Sequence, residues 1–323
     1  MNSAATPRPW LARLHPGLFG IVLGLLALSS AWRRLVVLGW AGAELIASGL
    51  QSGGLALLAL LLALTAAKLL RFPHALLMEY HHPVQGAMLA LMPVSCLLAV
   101  IVLLPQYPAW LAPAQAVIAL ALLLQAAISW QIVSRLSTGQ MPAELVSPAL
   151  YLPIVPGGFV GAIAMKMLGL HGFAMLLFGM GLGGWALLEI RILNRLFSGP
   201  LPLALRPTLG IEIAPAAVGT LSAISLWPEL SADILMLGLG ISSGPVLAVL
   251  TRWRWWSSTP FSFGFWSFSF PLAAMASCVA EAVRRGGWPP EVALMAVLLV
   301  SLLVAFLTVR TVLQLVQGKL LPA

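Results

Sequence analysis

Hydrophobic residues in this chain do not alternate with polar ones; they run together in long blocks broken by short polar or Pro- and Gly-rich links. The blocks lie near residues 16–32, 42–67, 83–104, 109–134, 148–168, 171–193, 208–227, 231–251, 260–283 and 290–317. Each is close to the roughly 20 apolar residues that a helix needs to cross a bilayer. Period-two alternation, the mark of a membrane barrel, is missing. Hydrocarbon offers no partner to backbone N–H and C=O groups, so unbroken apolar blocks must satisfy them internally, as helices. The expected fold class is therefore an all-α polytopic membrane protein with ten transmembrane helices, a single transmembrane domain over residues 1–323.

Proline then separates the blocks into two sets. The third, fifth, seventh and ninth carry Pro93, Pro153 with Pro156, Pro215 and Pro271. The second, fourth, sixth and tenth hold none except near their ends. Pro245 in the eighth is an exception, and the first has Gly20 and Gly24 where a proline would complete the series. An internal proline removes a backbone hydrogen bond and kinks a helix, and kinked backbone at membrane depth is tolerated where it is buried in protein or lines a wet cavity. This pattern points to the odd-numbered helices as an inner ring. Pro and Gly are also enriched in membrane helices generally, so on proline alone the ring and a chance distribution both stand.

Composition agrees with a membrane protein: 61% of residues are hydrophobic and 8% charged, with a mean hydropathy of +1.01, whereas soluble domains carry roughly a quarter charged residues. The net charge of +8 reflects loop topology and implies no nucleic-acid partner. The terminal segments and even-numbered links hold Arg8, Arg13, Lys68, Arg71, Arg135, Arg191, Arg195, Arg206, Arg252, Arg254, Arg310 and Lys319; the other side holds Arg33, Arg34, Lys166, Arg284 and Arg285. The positive-inside rule then puts both termini in the cytoplasm. The links on the other side are short, so successive helices pair as five hairpins. Block 16–32 resembles a signal peptide by itself, but the blocks that follow mark it as the first membrane helix. Cys96 and Cys278 fall inside apolar blocks, as small core residues without disulfide or metal spacing.

Candidate chemistry is sparse. Residues 261–270 pack Phe261, Phe263, Phe265, Trp266, Phe268 and Phe270 just ahead of Pro271. On a helix Phe263, Trp266 and Phe270 share one face and Phe261, Phe265 and Phe268 the opposite one; an interfacial aromatic belt accounts for either stripe as well as a pathway does. The residue before a proline is biased out of the helical region, which would aim Phe270 from a kink. Glu212 is the main ionisable residue inside a block, paired structurally with Arg206 or acting as a titratable site. Lys166 snorkels to the interface or draws anions to the mouth. Glu79, His81 and His82 precede Pro83 as a cap or interface group, and Arg252 to Trp256 read as interface anchors. No ring of cationic side chains is evident in the blocks, no P-loop, HExxH or nucleophile elbow is present, and no catalytic cluster, cofactor or metal is implied.

The chain resembles the tellurite-resistance and C4-dicarboxylate transporter family, which contains the bacterial TehA-type proteins and the plant guard-cell slow anion channels. The resemblance is carried in order by Phe19-Gly20-Ile21 with Leu23-Gly24-Leu25, Glu79-Tyr80-His81-His82-Pro83-Val84, Leu91-Met92-Pro93, Tyr151-Leu152-Pro153, Phe178-Gly179-Met180-Gly181 with Trp185, Leu209-Gly210-Ile211 with Ala214-Pro215, Trp266-Ser267-Phe268-Ser269-Phe270 and Met275-Ala276-Ser277. It implies five hairpins with quasi-fivefold symmetry, odd-numbered helices around a pore, a homotrimer with one pore per subunit in the bacterial inner membrane, and a gating phenylalanine at Phe270. The expected pore-lining or kink positions are Gly20, Gly24, Pro93, Pro153, Pro215 and Pro271. TehA-type proteins carry a proline after Gly20-Ile21, where this chain has Val22.

Two functional readings follow. In one, the protein is an anion channel for small inorganic anions such as chloride and nitrate, embedded in membrane lipid. In the other it is a proton-coupled secondary transporter, working through Glu212, that exports tellurite, sulfite or C4-dicarboxylates.

Overall fold

The structure is a computed structural model that describes residues 9–321; Arg8, one of the cations in the sidedness argument, lies outside the described residues. Ten helices are long and apolar enough to cross a membrane: Pro16–Val37 (α1), Ala43–Arg71 (α2), Pro83–Leu103 (α3), Pro108–Ser137 (α4), Pro148–Met167 (α5), His171–Phe197 (α6), Leu203–Leu226 (α7), Ala232–Thr251 (α8), Phe263–Gly286 (α9) and Pro290–Val316 (α10). The apolar blocks locate all ten. The largest differences are at α1, which runs on to Val37, and α7, which opens at Leu203; α2 also continues, through Lys68 to Arg71. Charge ends a hydropathy block but need not end a helix when the charge is paired, as Lys68 is below.

The ten helices form two layers. In the apolar windows of the odd-numbered helices 56% to 83% of residues are buried, against 17% to 33% in the even-numbered ones. The inner helices make a closed ring: α1 packs on α3, α3 on α5, α5 on α7, α7 on α9, and α9 back on α1. Each even helix packs outside its hairpin partner and also touches the next inner helix round, and α10 closes this pattern on α1. Short links keep the hairpins tight. The turn after α9, for example, reverses on Gly287, whose φ of 68° a residue with a Cβ adopts only under strain.

The inner helices are not continuous helices kinked at internal prolines. Each is two segments end to end: Pro16–Leu18 then Phe19–Val37, Pro83–Met88 then Leu91–Leu103, Pro148–Tyr151 then Val155–Met167, Leu203–Ile213 then Ala214–Leu226, and Phe263–Phe268 then Ser269–Gly286. Except in α3 the first segment is a 3₁₀ helix. Pro93, Pro156, Pro215 and Pro271 stand second or third in the second segment, and Pro153 lies in the turn between segments. The first N–H groups of an α-helix have no intrahelical partner, so a proline there forfeits no hydrogen bond. These prolines therefore mark where a new helix starts. In α1 the matching stretch carries Val22, fully buried, and the α segment still begins at Phe19. Pro245 stands inside outer helix α8, and Pro207 inside the 3₁₀ segment of α7.

Candidate functional site

The ring encloses an axial cavity of about 50 Å³. Its lining comes from all five inner helices and from no outer one: Gly20 and Leu23 of α1, Leu91 and Val94 of α3, Leu152 and Pro156 of α5, Ile211 and Ala214 of α7, and Phe263, Trp266, Phe270 and Pro271 of α9 are among it. Among the described residues no charged side chain lines it. Its hydroxyls are already committed: Thr208 Oγ1 donates to the Leu205 carbonyl at 2.6 Å and Ser267 Oγ to the Pro207 carbonyl at 2.5 Å. A single water needs roughly 10–15 Å³ of such space, so the chamber holds a few waters at most and not an anion with its full hydration shell.

Of the residues expected from sequence to line a pore or kink a helix, Gly20, Phe270 and Pro271 border this cavity. Pro93 instead faces a groove between α2, α3 and α4. Pro153 turns its carbonyl to α4, accepting from Ser129 Oγ at 2.7 Å and from Gln125. At α5 the lining residues Leu152 and Pro156 flank Pro153, and at α7 Ala214 stands beside Pro215. Gly24 serves close packing: a Cβ there would lie 2.2 Å from Ser269 Oγ and 2.7 Å from Ser269 Cβ, whereas one at Gly20 would meet Trp266 Cβ at 3.7 Å. Gly24→Ala is therefore expected to cost about 1–3 kcal/mol through overpacking and to push α9 off α1 just before Phe270. Thermal unfolding in detergent reads this directly, with Gly20→Ala as the neutral comparison.

The aromatic stretch divides as helical spacing predicts. Phe263, Trp266 and Phe270 border the axial cavity, while Phe261, Phe265 and Phe268 line a separate pocket against α7, α8 and α10. The 3₁₀ segment is fixed from several sides. Trp266, 1% exposed, donates from Nε1 to Thr311 Oγ1 of α10 at 2.9 Å, and Gln314 Nε2 donates to the Phe261 carbonyl at 2.6 Å. Phe263 lies against the His15 ring, centroids 4.5 Å apart. Phe270 is helical, not extended as its place before proline suggested. What aims it is the change from 3₁₀ to α winding between Phe268 and Ser269.

Glu212 does not reach the axis and does not pair with Arg206. Its Oε2 meets Arg252 Nη2 at the end of α8, 3.4 Å away, and its Oε1 is buried with no hydrogen-bond partner among the described residues. Arg206 stacks on Trp255 at 4.6 Å. Six residues separate Arg206 from Glu212, which is about 12 Å of rise along a 3₁₀ helix and about 9 Å along an α-helix, beyond ion-pair reach on either; the partner comes from another helix. A half-buried carboxylate, Glu189 of α6, accepts from Tyr151 and, at 2.9 Å, from Trp185 Nε1.

At the face where α1 begins, His82 caps α3: its Nδ1 accepts from the N–H groups of Val84 and Gln85, both at 3.2 Å. Lys68, 1% exposed, bonds Glu79 Oε1 at 2.6 Å and the Leu14 carbonyl at 2.7 Å. Burial, then the charges of Lys68 and His82, push the His15 imidazole down to about 4, and burial and Arg135 lower His82. Both rings are thus neutral at pH 7. The Glu79–His82 stretch supplies a helix cap and a charge pair.

The opposite face gathers residues that sequence kept far apart. Arg34 of α1 and Arg284 and Arg285 of α9 converge on one carboxylate, Glu281; the Arg284 Nη2 and Arg285 Nε contacts are 2.7 and 3.0 Å. Arg33 pairs with Glu44 at 3.1 Å and donates to Gln51 and Gln106. A vestibule of about 500 Å³ opens here, lined by Arg33, Arg34, Gln106, Glu281 and Arg284 among others. The only one-dimensional trace of this cluster was the spacing of Glu281 to Arg284 and Arg285, three and four residues on; its other half lies in α1.

Ten apolar helices in two layers, closed round an axial cavity, define a multi-pass membrane protein. The family model described as SLAC1, voltage-dependent anion channel, matches residues 13–314, and the chain belongs to that family. Among curated relatives it is 29% identical over 307 residues to a Haemophilus influenzae tellurite resistance protein TehA homolog, covering 95% of this chain and 92% of that protein. It is 27% identical over 143 residues to the S-type anion channel SLAH2 of Arabidopsis thaliana, covering 43% of this chain and 27% of that protein. The family places the chain among anion channels and transporters.

Proposed function

We propose that this protein is an anion channel of the bacterial inner membrane, a homotrimer of single-domain subunits with both termini cytoplasmic. Each subunit passes small monovalent anions such as chloride and nitrate along its ring axis, and Phe270 is the gate. The observation that carries this reading is where the inner segments begin. Gly20, Leu91, Pro156, Ala214 and Phe270 each stand first or second in an α segment and each borders the cavity. Five helix N-termini therefore surround one apolar chamber. Each brings up to about half a positive charge, less where the preceding 3₁₀ turn supplies N–H partners. Such a site attracts an anion without a side-chain cation that would hold it, and selects by dehydration cost.

The second reading, a proton-coupled transporter for tellurite, sulfite or dicarboxylates, draws support from the unpartnered buried oxygen of Glu212; against it, Glu212 lies off the cavity. Planar-bilayer recording separates the two. A channel gives unitary currents whose reversal potential follows the chloride gradient and ignores a proton gradient. A reversal potential that moves with the proton gradient overturns the channel reading.

A further inference from the structure

The arginine vestibule lies in line with the axial cavity. On α1 the cavity and vestibule residues Gly20, Leu23, Ser30 and Arg34 fall on one helical face with buried Ala27 between them. Leu91, Val94 and Ile101 do the same on α3, with buried Leu98 between, and Pro105 follows in the turn just beyond the helix. On α9 the steps from Phe270 through buried Ala274 and Ser277 reach Glu281 and Arg284. All advance by three, four or seven residues, the spacing of one helix stripe. The vestibule is thus the far mouth of the axis, on the order of 15–20 Å from the cavity, with small and aliphatic side chains closing the way between.

Its charge is not balanced. Arg34, Arg284 and Arg285 share the single carboxylate of Glu281, which leaves two positive charges uncompensated, while Arg33 is matched by Glu44. Donors are also in excess: a guanidinium has five N–H groups, and Arg34 bonds Glu281 through Nη1 alone, Arg284 through Nε and Nη2. We propose that this vestibule is a binding site for a doubly charged oxyanion, held by Arg34 and Arg284, which occupies the mouth and blocks it. Two unmatched guanidiniums suit one dianion by charge and by paired N–H···O geometry. At about 500 Å³ the vestibule takes such an ion with part of its water. The 50 Å³ axial cavity does not, and stripping a dianion is costlier than stripping a monoanion, since the desolvation penalty grows with the square of the charge. The dianion therefore stops where monovalent anions go on.

The blocking role rests on the axial route proposed above; the binding role does not. Sulfate is the probe. Calorimetry on the purified full-length protein is expected to show one sulfate per subunit, weakened about tenfold or more by Arg34→Gln and by Arg284→Gln, since each removes a charge-assisted contact. In chloride-flux liposomes, sulfate on the far-face side alone is expected to inhibit, with the same loss in the variants. Arg284→Gln leaves Glu281 paired with Arg34 and Arg285, so a fold defect is not expected, and a thermal melt verifies it. Absent sulfate binding, affinity unchanged in both variants, or inhibition from the terminal side would overturn the proposal. Arginine-dependent sulfate binding by a protein that passes no chloride would uphold the site and refute the channel.

Discussion

Phe270→Ala raises anion conductance by about tenfold or more, equivalent to lowering a barrier by roughly 1.4 kcal/mol. The axial cavity carries no charge and holds little water, so an ion crossing it meets low dielectric on every side and a large desolvation penalty. Replacing the ring by a methyl group opens the chamber, lets water accompany the ion, and reduces that penalty. Phe270 is the member of the axial stripe best placed to move. Phe263 is stacked on His15 and Trp266 is tied to Thr311, whereas among the described residues no ring packs against that of Phe270. Phe268→Ala is the internal comparison. It faces the pocket shared with α7, α8 and α10, so it is expected to lower stability by about 3–5 kcal/mol without raising current. Paired bilayer recordings decide; wild-type current in Phe270→Ala removes Phe270 as the gate.

Lys68→Met has the largest expected effect on stability, a loss of about 3–5 kcal/mol, because it strands the Glu79 carboxylate in a site built for two charges. The Lys68 ammonium is 1% exposed and its partner carboxylate 12%, so little solvent is at hand to replace the lost partner. Removing both charges should restore most of the loss, since a buried ion pair is often no better than apolar residues of like volume. Unfolding of wild type, Lys68→Met, Glu79→Gln and the double variant in mixed micelles completes the cycle. A double variant as unstable as the worse single one would mean that the two side chains do not act as a pair.

Much of the architecture was legible because bilayer physics leaves little choice. Ten apolar blocks had to be helices, and short links had to make antiparallel neighbours. The two faces of the aromatic stretch followed from periodicity alone, which survives a change from α to 3₁₀ winding over so few residues. The prolines were informative in position and misleading in meaning: they flagged the inner helices, but as the start of a second segment. Glu212 pairs with Arg252 of α8 and not with Arg206, since a partner on another helix cannot be read from spacing along the chain. Sidedness put the far-mouth arginines on one face, but their convergence on Glu281 was invisible, because Arg34 and Glu281 lie at opposite ends of the chain.

By itself, then, the sequence determined how many times the chain crosses the membrane and which residues of α9 share a face, both consequences of hydropathy and local geometry; its prolines pointed to the odd-numbered helices as an inner ring, which burial in the fold then established. Only the tertiary structure decided what meets on the axis and what meets at its far mouth. Ring closure of α9 on α1 is a contact between distant segments, and it sets Gly24 against Ser269, rings Phe270 with five helix N-termini, and draws three arginines to one carboxylate. No local pattern encodes a pairing of that separation; it follows from packing ten helices into one closed ring.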